Sequence, residues 1–152
     1  MEVTDVKKPP LEMKEHFFTK VSFAANDSLT EEDVASSKPF EHDFKCFVEV
    51  LTNNKDPLLH QVRLKIVVAE KEDALKAYDI EIEVVGLFRP TREFDTDEEL
   101  KGMIQIIGAT LLYGAAREYI YSLTLRGPWP PVYLPTTSFI PAQSAPSPGK
   151  GK

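Results

Sequence analysis

Residues 100–118 read LKGMIQIIGATLLYGAARE, and this stretch decides the fold. Leu100, Met103, Ile104, Ile107 and Leu111 recur at helical spacing, and the pattern continues through Tyr119, Ile120 and Leu123. Ahead of it, Asp95-Thr96-Asp97-Glu98-Glu99 supplies N-cap candidates and places acids where a helix dipole favours them. Behind it, Arg126-Gly127 reads as a C-terminal stop. Unbroken, such a helix approaches about 45 Å, with Gly102, Gly108 and Gly114 as places to bend. It is apolar on more than one stripe. From Gly102 to Ala116 the only strongly polar side chain is Gln105, and Ile104, Ile106 and Ile107 cannot all face one sheet. A helix apolar nearly all round must be buried nearly all round. In a chain of 152 residues the second cover is expected from another subunit. Gly108, Ala109, Gly114, Ala115 and Ala116 would let backbones approach closely. The stretch is too short for a membrane span and charged at both ends.

The chain before this helix alternates with a period of two. From His16, Phe17, Thr19, Val21 and Phe23 share one face of a strand, with Phe18, Lys20 and Ser22 on the other. Asn26 to Pro39 is polar, acidic and long for a hairpin, so it is expected to cross over other structure. Phe40–Thr52 is a second strand, with Phe44, Cys46, Val48 and Val50 on one side. Asn53-Asn54-Lys55-Asp56-Pro57 turns the chain into a third strand, His60–Glu70, with Val62, Leu64, Ile66 and Val68 inward. A fourth alternates Tyr78, Ile80, Ile82 and Val84 with Asp79, Glu81 and Glu83. Short links favour an antiparallel meander with one solvated face. The expected class is α+β, a four-stranded antiparallel sheet packed on one long C-terminal helix. Residues 1–14 read as a flexible lead-in, 15–139 as the domain, and 140–152 as a disordered tail rich in Pro, Ser, Gly and Lys.

Composition narrows the function. Twenty-four acids against 18 bases give a net charge of -6, which argues against a nucleic-acid partner. A lone Cys46 rules out an internal disulfide framework and a thiolate zinc site. No signal peptide is visible in Met1–Pro10, and the expected location is the cytoplasm. His16, His42 and His60 lack metal-ligand spacing, and no nucleophile elbow, phosphate loop, dinucleotide fingerprint or zinc-protease motif occurs. No catalytic residue, metal or cofactor is therefore expected. Cys46 reads as a buried structural thiol. Asp79, Glu81 and Glu83 form a same-face row, either plainly solvated or a dock for a basic partner. Arg117 and Glu118 read as a structural ion pair. Phe18, Phe47, Leu51 and Val67 leave apolar surface on the outer sheet face; with Phe40, Trp129 and Tyr133 they suggest a groove for other chains.

The order strand, crossover, meander, long helix and proline-rich segment resembles the SecB family of preprotein-export chaperones. The likeness is carried by Gly86-Leu87-Phe88, by Leu112-Tyr113-Gly114-Ala115-Ala116-Arg117-Glu118, by Arg126-Gly127-Pro128-Trp129-Pro130 with Leu134 and Phe139, and by Phe18-Thr19-Lys20-Val21-Ser22-Phe23. The resemblance implies a homotetramer, a dimer of dimers with long helices between two sheets. It implies ATP-independent holding of unfolded preproteins, handed on to the SecA motor. On that reading Phe40, Phe44, Phe47, Leu51, Leu123, Trp129 and Tyr133 contact clients. Ile104, Ile107, Gly108 and Leu111 form the oligomer interface, and Asp79, Glu81 and Glu83 offer a SecA dock.

The chain departs from the family pattern in places. Gly114 replaces a helix proline, Thr136 replaces another proline, and Lys20 and Ala24 stand at two acidic positions. Ile140-Pro141 opens a tail where the family continues into a second helix. The alternative within the family is an adaptor or a dedicated chaperone, for example of a toxin–antitoxin system. A hotdog-like thioesterase is the enzyme alternative, but its helix is usually wrapped within the strands and needs an acid that this helix centre lacks.

Overall fold

The computed structural model describes residues 1–140. Strands β2 (His42–Thr52), β3 (His60–Glu70) and β4 (Tyr78–Pro90) form the meander, and β1 (Leu11–Ala25) adds to β4. The sheet is antiparallel throughout, in the order β1-β4-β3-β2. The crossover from β1 to β2 holds a one-turn helix, α1 (Glu31–Ala35), closed by a reciprocal capping box between Thr30 and Asp33. It is tied to the β3–β4 turn: Asn26 donates to the Ala77 carbonyl at 2.9 Å and the Lys76 carbonyl at 2.7 Å, and Leu75 donates to the Pro39 carbonyl at 2.8 Å. Helix α2 (Asp97–Thr124) follows as one element of 28 residues, about 42 Å long. Thr96 caps it, accepting from the Glu99 N–H at 3.0 Å. The tail expected from residue 140 lies, from 141 on, outside the described residues.

The core lies between the sheet and α2. Val62, Leu64, Ile66 and Val68 of β3 and Tyr78, Ile80, Ile82 and Val84 of β4 are buried. They meet Ile104, Leu112, Ala116 and Ile120 of α2. Gly108 sits where α2 comes closest to the sheet; a Cβ there would lie 2.8 Å from Val62 Cγ2.

The first strand differs from its expected form. It begins at Leu11, whose side chain is buried, rather than at His16. Its register against β4 shifts between Phe18 and Lys20. The irregularity moves every later side chain to the opposite face. Phe18, Val21 and Phe23 therefore stand opposite Val84, Ile82 and Ile80 on the helix side, while Phe17 stands opposite Val85 on the outer side. Phe18 packs on Tyr119 at 4.7 Å between ring centroids, so it is not part of the solvent face.

The end of α2 also departs from expectation. The helix stops at Thr124, and Gly127 is not in the left-handed conformation of a helix stop. Its lack of a side chain serves packing instead, since a Cβ there would lie 2.1 Å from the Tyr78 hydroxyl. Gly127→Ala must displace Tyr78 or the following segment. Overpacking of this kind costs about 1–3 kcal/mol, and the expected result is a lower midpoint of thermal unfolding with the fold retained.

His42 makes stability depend on pH. Its Nε2 accepts the Ala77 N–H at 3.1 Å, which requires a neutral ring at that atom. Burial, reinforced by Lys76, holds its pKa below the ordinary imidazole value. Burial does the same for His60, against a weaker opposing pull from Asp56. The unfolded chain takes up these protons first, so the stabilisation is complete above about pH 6.5 and declines as pH falls through the lower folded values. Urea midpoints should drop on acidification from about pH 7 to about pH 5.5, and His42→Gln should flatten that drop.

Candidate functional site

After α2 the chain runs extended through Pro128-Trp129-Pro130-Pro131-Val132-Tyr133-Leu134-Pro135. Proline has no N–H and cannot join a sheet ladder, so this segment needs other anchors. Hydroxyls supply them. Tyr78 Oη accepts the Trp129 N–H at 2.9 Å and lies 3.0 Å from the Trp129 carbonyl. Thr124 Oγ1 accepts the Val132 N–H at 2.9 Å, and Tyr113 donates to the Pro135 carbonyl at 2.5 Å. The Trp129 indole donates to the Asn26 carbonyl at 2.9 Å, joining the segment to the crossover. Val132 and Leu134 are buried by this attachment.

Two grooves result. Trp129 stacks on Phe40 at 5.7 Å between centroids. A groove of about 310 Å³ runs from Phe40, His42 and Phe44 to Pro131, Tyr133 and Pro135, with Glu41 and Lys71 at its rim. Those two pair at 2.9 Å. A second groove of about 350 Å³ is formed by Leu29, Val34 and Ala35 of the crossover with Trp129. Tyr133, 65% exposed, is held edge-on to Tyr121 and lies under the Arg117 guanidinium, 4.3 Å from its centroid. Arg117 and Glu118 do not pair with each other, because successive helix residues point apart; the Arg117 guanidinium lies over the Tyr133 ring.

The expected client residues divide between the two faces of the sheet. Phe40, Phe44, Trp129 and Tyr133 come together on the helix side. Leu123 is partly buried against the core beneath them. Phe47 and Leu51 point the other way, on the outer face. Leu51 lines a separate recess of about 490 Å³ with Leu59, Leu87 and the β2–β3 turn, and Lys65 lies over Phe47 at 6.0 Å. One continuous groove through all seven residues does not form. Leu29 and Val34 were masked in the sequence by the acids around them. Tyr113 was visible in its motif, but its role required the fold.

The acidic row is not free. Glu81 pairs with both Lys20 and Lys65, the latter at 2.7 Å. Hydrogen bonds from these two lysines hold its carboxyl down to a pKa of about 2. Glu83 meets Arg63 at 3.4 Å, and Asp79 pairs with Lys76. Strand order β1-β4-β3 flanks the β4 acids with the bases of its neighbours, so the row presents no unpaired negative stripe. The expected interface also changes. Ile104 and Gly108 are buried against their own sheet, Ile107 is half-buried, and Leu111 alone of the four is exposed, at 42%. Cys46 faces the core, where burial raises its pKa to about 11. Among the described residues no cluster of His, Cys, Asp and Glu is placed to hold a metal, and no helix is long and apolar enough to cross a membrane.

The fold has known counterparts. A SecB-like chaperone of Mycobacterium tuberculosis, solved in complex with a ChAD peptide from the HigA1 antitoxin, superposes with a TM-score of 0.65 at 21% identity, covering 86% of this chain and 92% of that one. A Streptococcus agalactiae protein of unknown function reaches a TM-score of 0.39 at 13% identity, covering 82% and 96%, too distant to bear on the fold. No curated protein matches the chain. The family model described as preprotein translocase subunit SecB matches residues 4–141. With the sheet, the crossover and the long helix in the same order, the chain belongs to the SecB family.

Proposed function

We propose that this chain is an ATP-independent holding chaperone that keeps unfolded preproteins competent for export from the cytoplasm. The observation that carries the reading is the pair of grooves with exposed aromatic and branched side chains beside the Phe40–Trp129 stack. Leu29, Val34, Ala35 and Trp129 make the second mainly apolar, while the first sets Phe40, Phe44, Tyr133 and two prolines among Glu41, His42 and Lys71. Such grooves suit extended apolar segments of many sequences, with affinity built from several weak contacts on one client. The family is one of chaperones rather than enzymes, which leaves the thioesterase alternative without support.

A second reading is favoured by two observations. The similar Mycobacterium chaperone is bound to an antitoxin peptide, and the acids of β4 are neutralised by their neighbours rather than offered to SecA. Both suit a chaperone dedicated to one partner. Capture separates the readings. A slow-folding precursor diluted from denaturant should co-elute with the chaperone in size exclusion with light scattering, while its native form should not. Phe40→Ala should weaken capture about tenfold, equal to about 1.4 kcal/mol. Failure to hold any of several unrelated precursors, with tight binding to one protein, would put the dedicated reading first.

The assembly proposed is a homotetramer, a dimer of dimers. Its interface on α2 centres on Leu111, with Met103, Ile106 and Gly114, which the sheet leaves partly or fully open. Leu111→Asp is expected to reduce the mass in light scattering while leaving the circular dichroism spectrum unchanged. An unchanged mass would remove this helix face from the interface.

A further inference from the structure

The recess of about 490 Å³ on the outer face of the sheet is larger than either groove beside the Phe40–Trp129 stack, and nothing so far uses it. Its floor is one row across three strands. Leu51 of β2 stands opposite Gln61 of β3, which stands opposite Leu87 of β4. The β2–β3 turn supplies the wall, with Asn54, Lys55 and Leu59. That turn is tied down. The Asn53 N–H donates to the Leu59 carbonyl at 3.3 Å, and the Asn53 side chain accepts the Lys55 N–H at 2.9 Å. Asp56 accepts the Leu58 N–H at 3.1 Å on one oxygen and Arg89 at 2.6 Å on the other. Leu59 and Leu87 are half-buried and Leu51 is 38% exposed, so the floor is apolar and only partly covered. The polar lining is unspent. Among the described residues the side chains of Thr52, Asn54 and Gln61 make no hydrogen bond within the chain, and Lys55 makes no ion pair.

The geometry points to a site for the carboxyl-terminal end of another protein chain. Its last apolar side chain would lie on Leu51, Leu59 and Leu87, and its terminal carboxylate on Lys55. Charge decides the sign of the ligand. Lys55 is the only charged residue of the lining, and the acid beside it in the turn, Asp56, is held by Arg89. Elsewhere on this face Glu81 and Glu83 are taken by Lys20, Lys65 and Arg63. Glu15 makes no ion pair, but it stands opposite Leu87 at the β1 end of the row, so it turns an incoming anion toward Lys55. Shape decides which part of a chain enters. A recess walled at one side by a turn admits an end more readily than a segment running through. A chain end also carries its carboxylate within one residue of an apolar side chain, which matches leucines and a cation in one recess. The free amides of Asn54 and Gln61 both donate and accept, so they suit the carboxylate and the last peptide group. A turn already fixed by its own hydrogen bonds loses little freedom on binding. The site lies on the face opposite Phe40 and Trp129 and does not rest on the proposed chaperone role.

Methyl spectra of the full chain, with leucine and valine labelled, test the inference. The probe is an acetylated tripeptide of one glycine and two leucines that ends in a free carboxylate, compared with the same peptide ending in an amide. Saturable shifts at Leu51, Leu59 and Leu87 with the free acid are the expected result, with Leu29, Val34 and Val132 on the other face unmoved. The amide should bind about fivefold more weakly, since an exposed charge pair contributes up to about that factor. Lys55→Gln should weaken the acid by the same factor and leave the amide unchanged. Three results overturn the proposal: no shift at the three leucines, equal binding of acid and amide to the native chain, or shifts confined to Leu29, Val34 and Val132. The comparison of acid with amide uses the native protein, so it stands whatever Lys55→Gln does to the turn. Capture of unfolded precursors, measured separately, bears on the chaperone role alone.

Discussion

One helix is too narrow for this sheet. Strands lie about 4.8 Å apart, so four of them present a face wider than a helix of about 10 Å can cover. Helix α2 seats on the two central strands, β3 and β4, and their inward side chains are completely buried. The flanks go short. On the β2 side the proline-rich segment supplies the missing cover, held by the hydroxyls of Tyr78, Thr124 and Tyr113. On the β1 side Val21 and Phe23 face the helix layer yet remain 43% and 37% exposed. The grooves and exposed aromatics of this molecule follow from that mismatch of widths.

On the proposed chaperone role, the same mismatch would suit the surface to clients without a defined sequence. A core is packed to exclude alternatives, and a single added methylene is felt there. One groove is walled by the start of β2 and the other by the crossover, and the segment without sheet hydrogen bonds borders both. Their shape is set by a few stacked rings, Phe40 on Trp129 and Tyr133 on Tyr121, rather than by interlocked layers. Polar anchors hold the segment in place, and apolar side chains are left facing outward.

Much of this was legible in the sequence, for identifiable reasons. The limits of β3 were read to the residue, because Val62, Leu64, Ile66 and Val68 alternate cleanly between two turns. β1 extends back to Leu11, inside a polar and proline-bearing stretch that reads as a lead-in, and no residue type announces the irregularity around Thr19. The apolar surplus of α2 was plain, but periodicity has no means of choosing between stripes on a helix apolar all round. Gly108 reads as a point of close approach to another subunit, but the missing side chain makes room for Val62 of its own sheet. The acids of β4 were easily seen, whereas their neutralisation depends on strand order. Lys20 lies 61 positions from Glu81 in sequence and is bonded to it in the fold.

The anchoring of the proline-rich segment has a further consequence, during synthesis. Val34 and Phe40 leave the ribosome well before the other wall of each groove, Trp129 to Pro135. Its attachment needs Tyr78, Thr124 and Tyr113 already in place. The sheet and helix therefore form first and the grooves last. On the proposed chaperone role, a nascent copy has no finished groove with which to seize its own unfolded strands until that segment is seated.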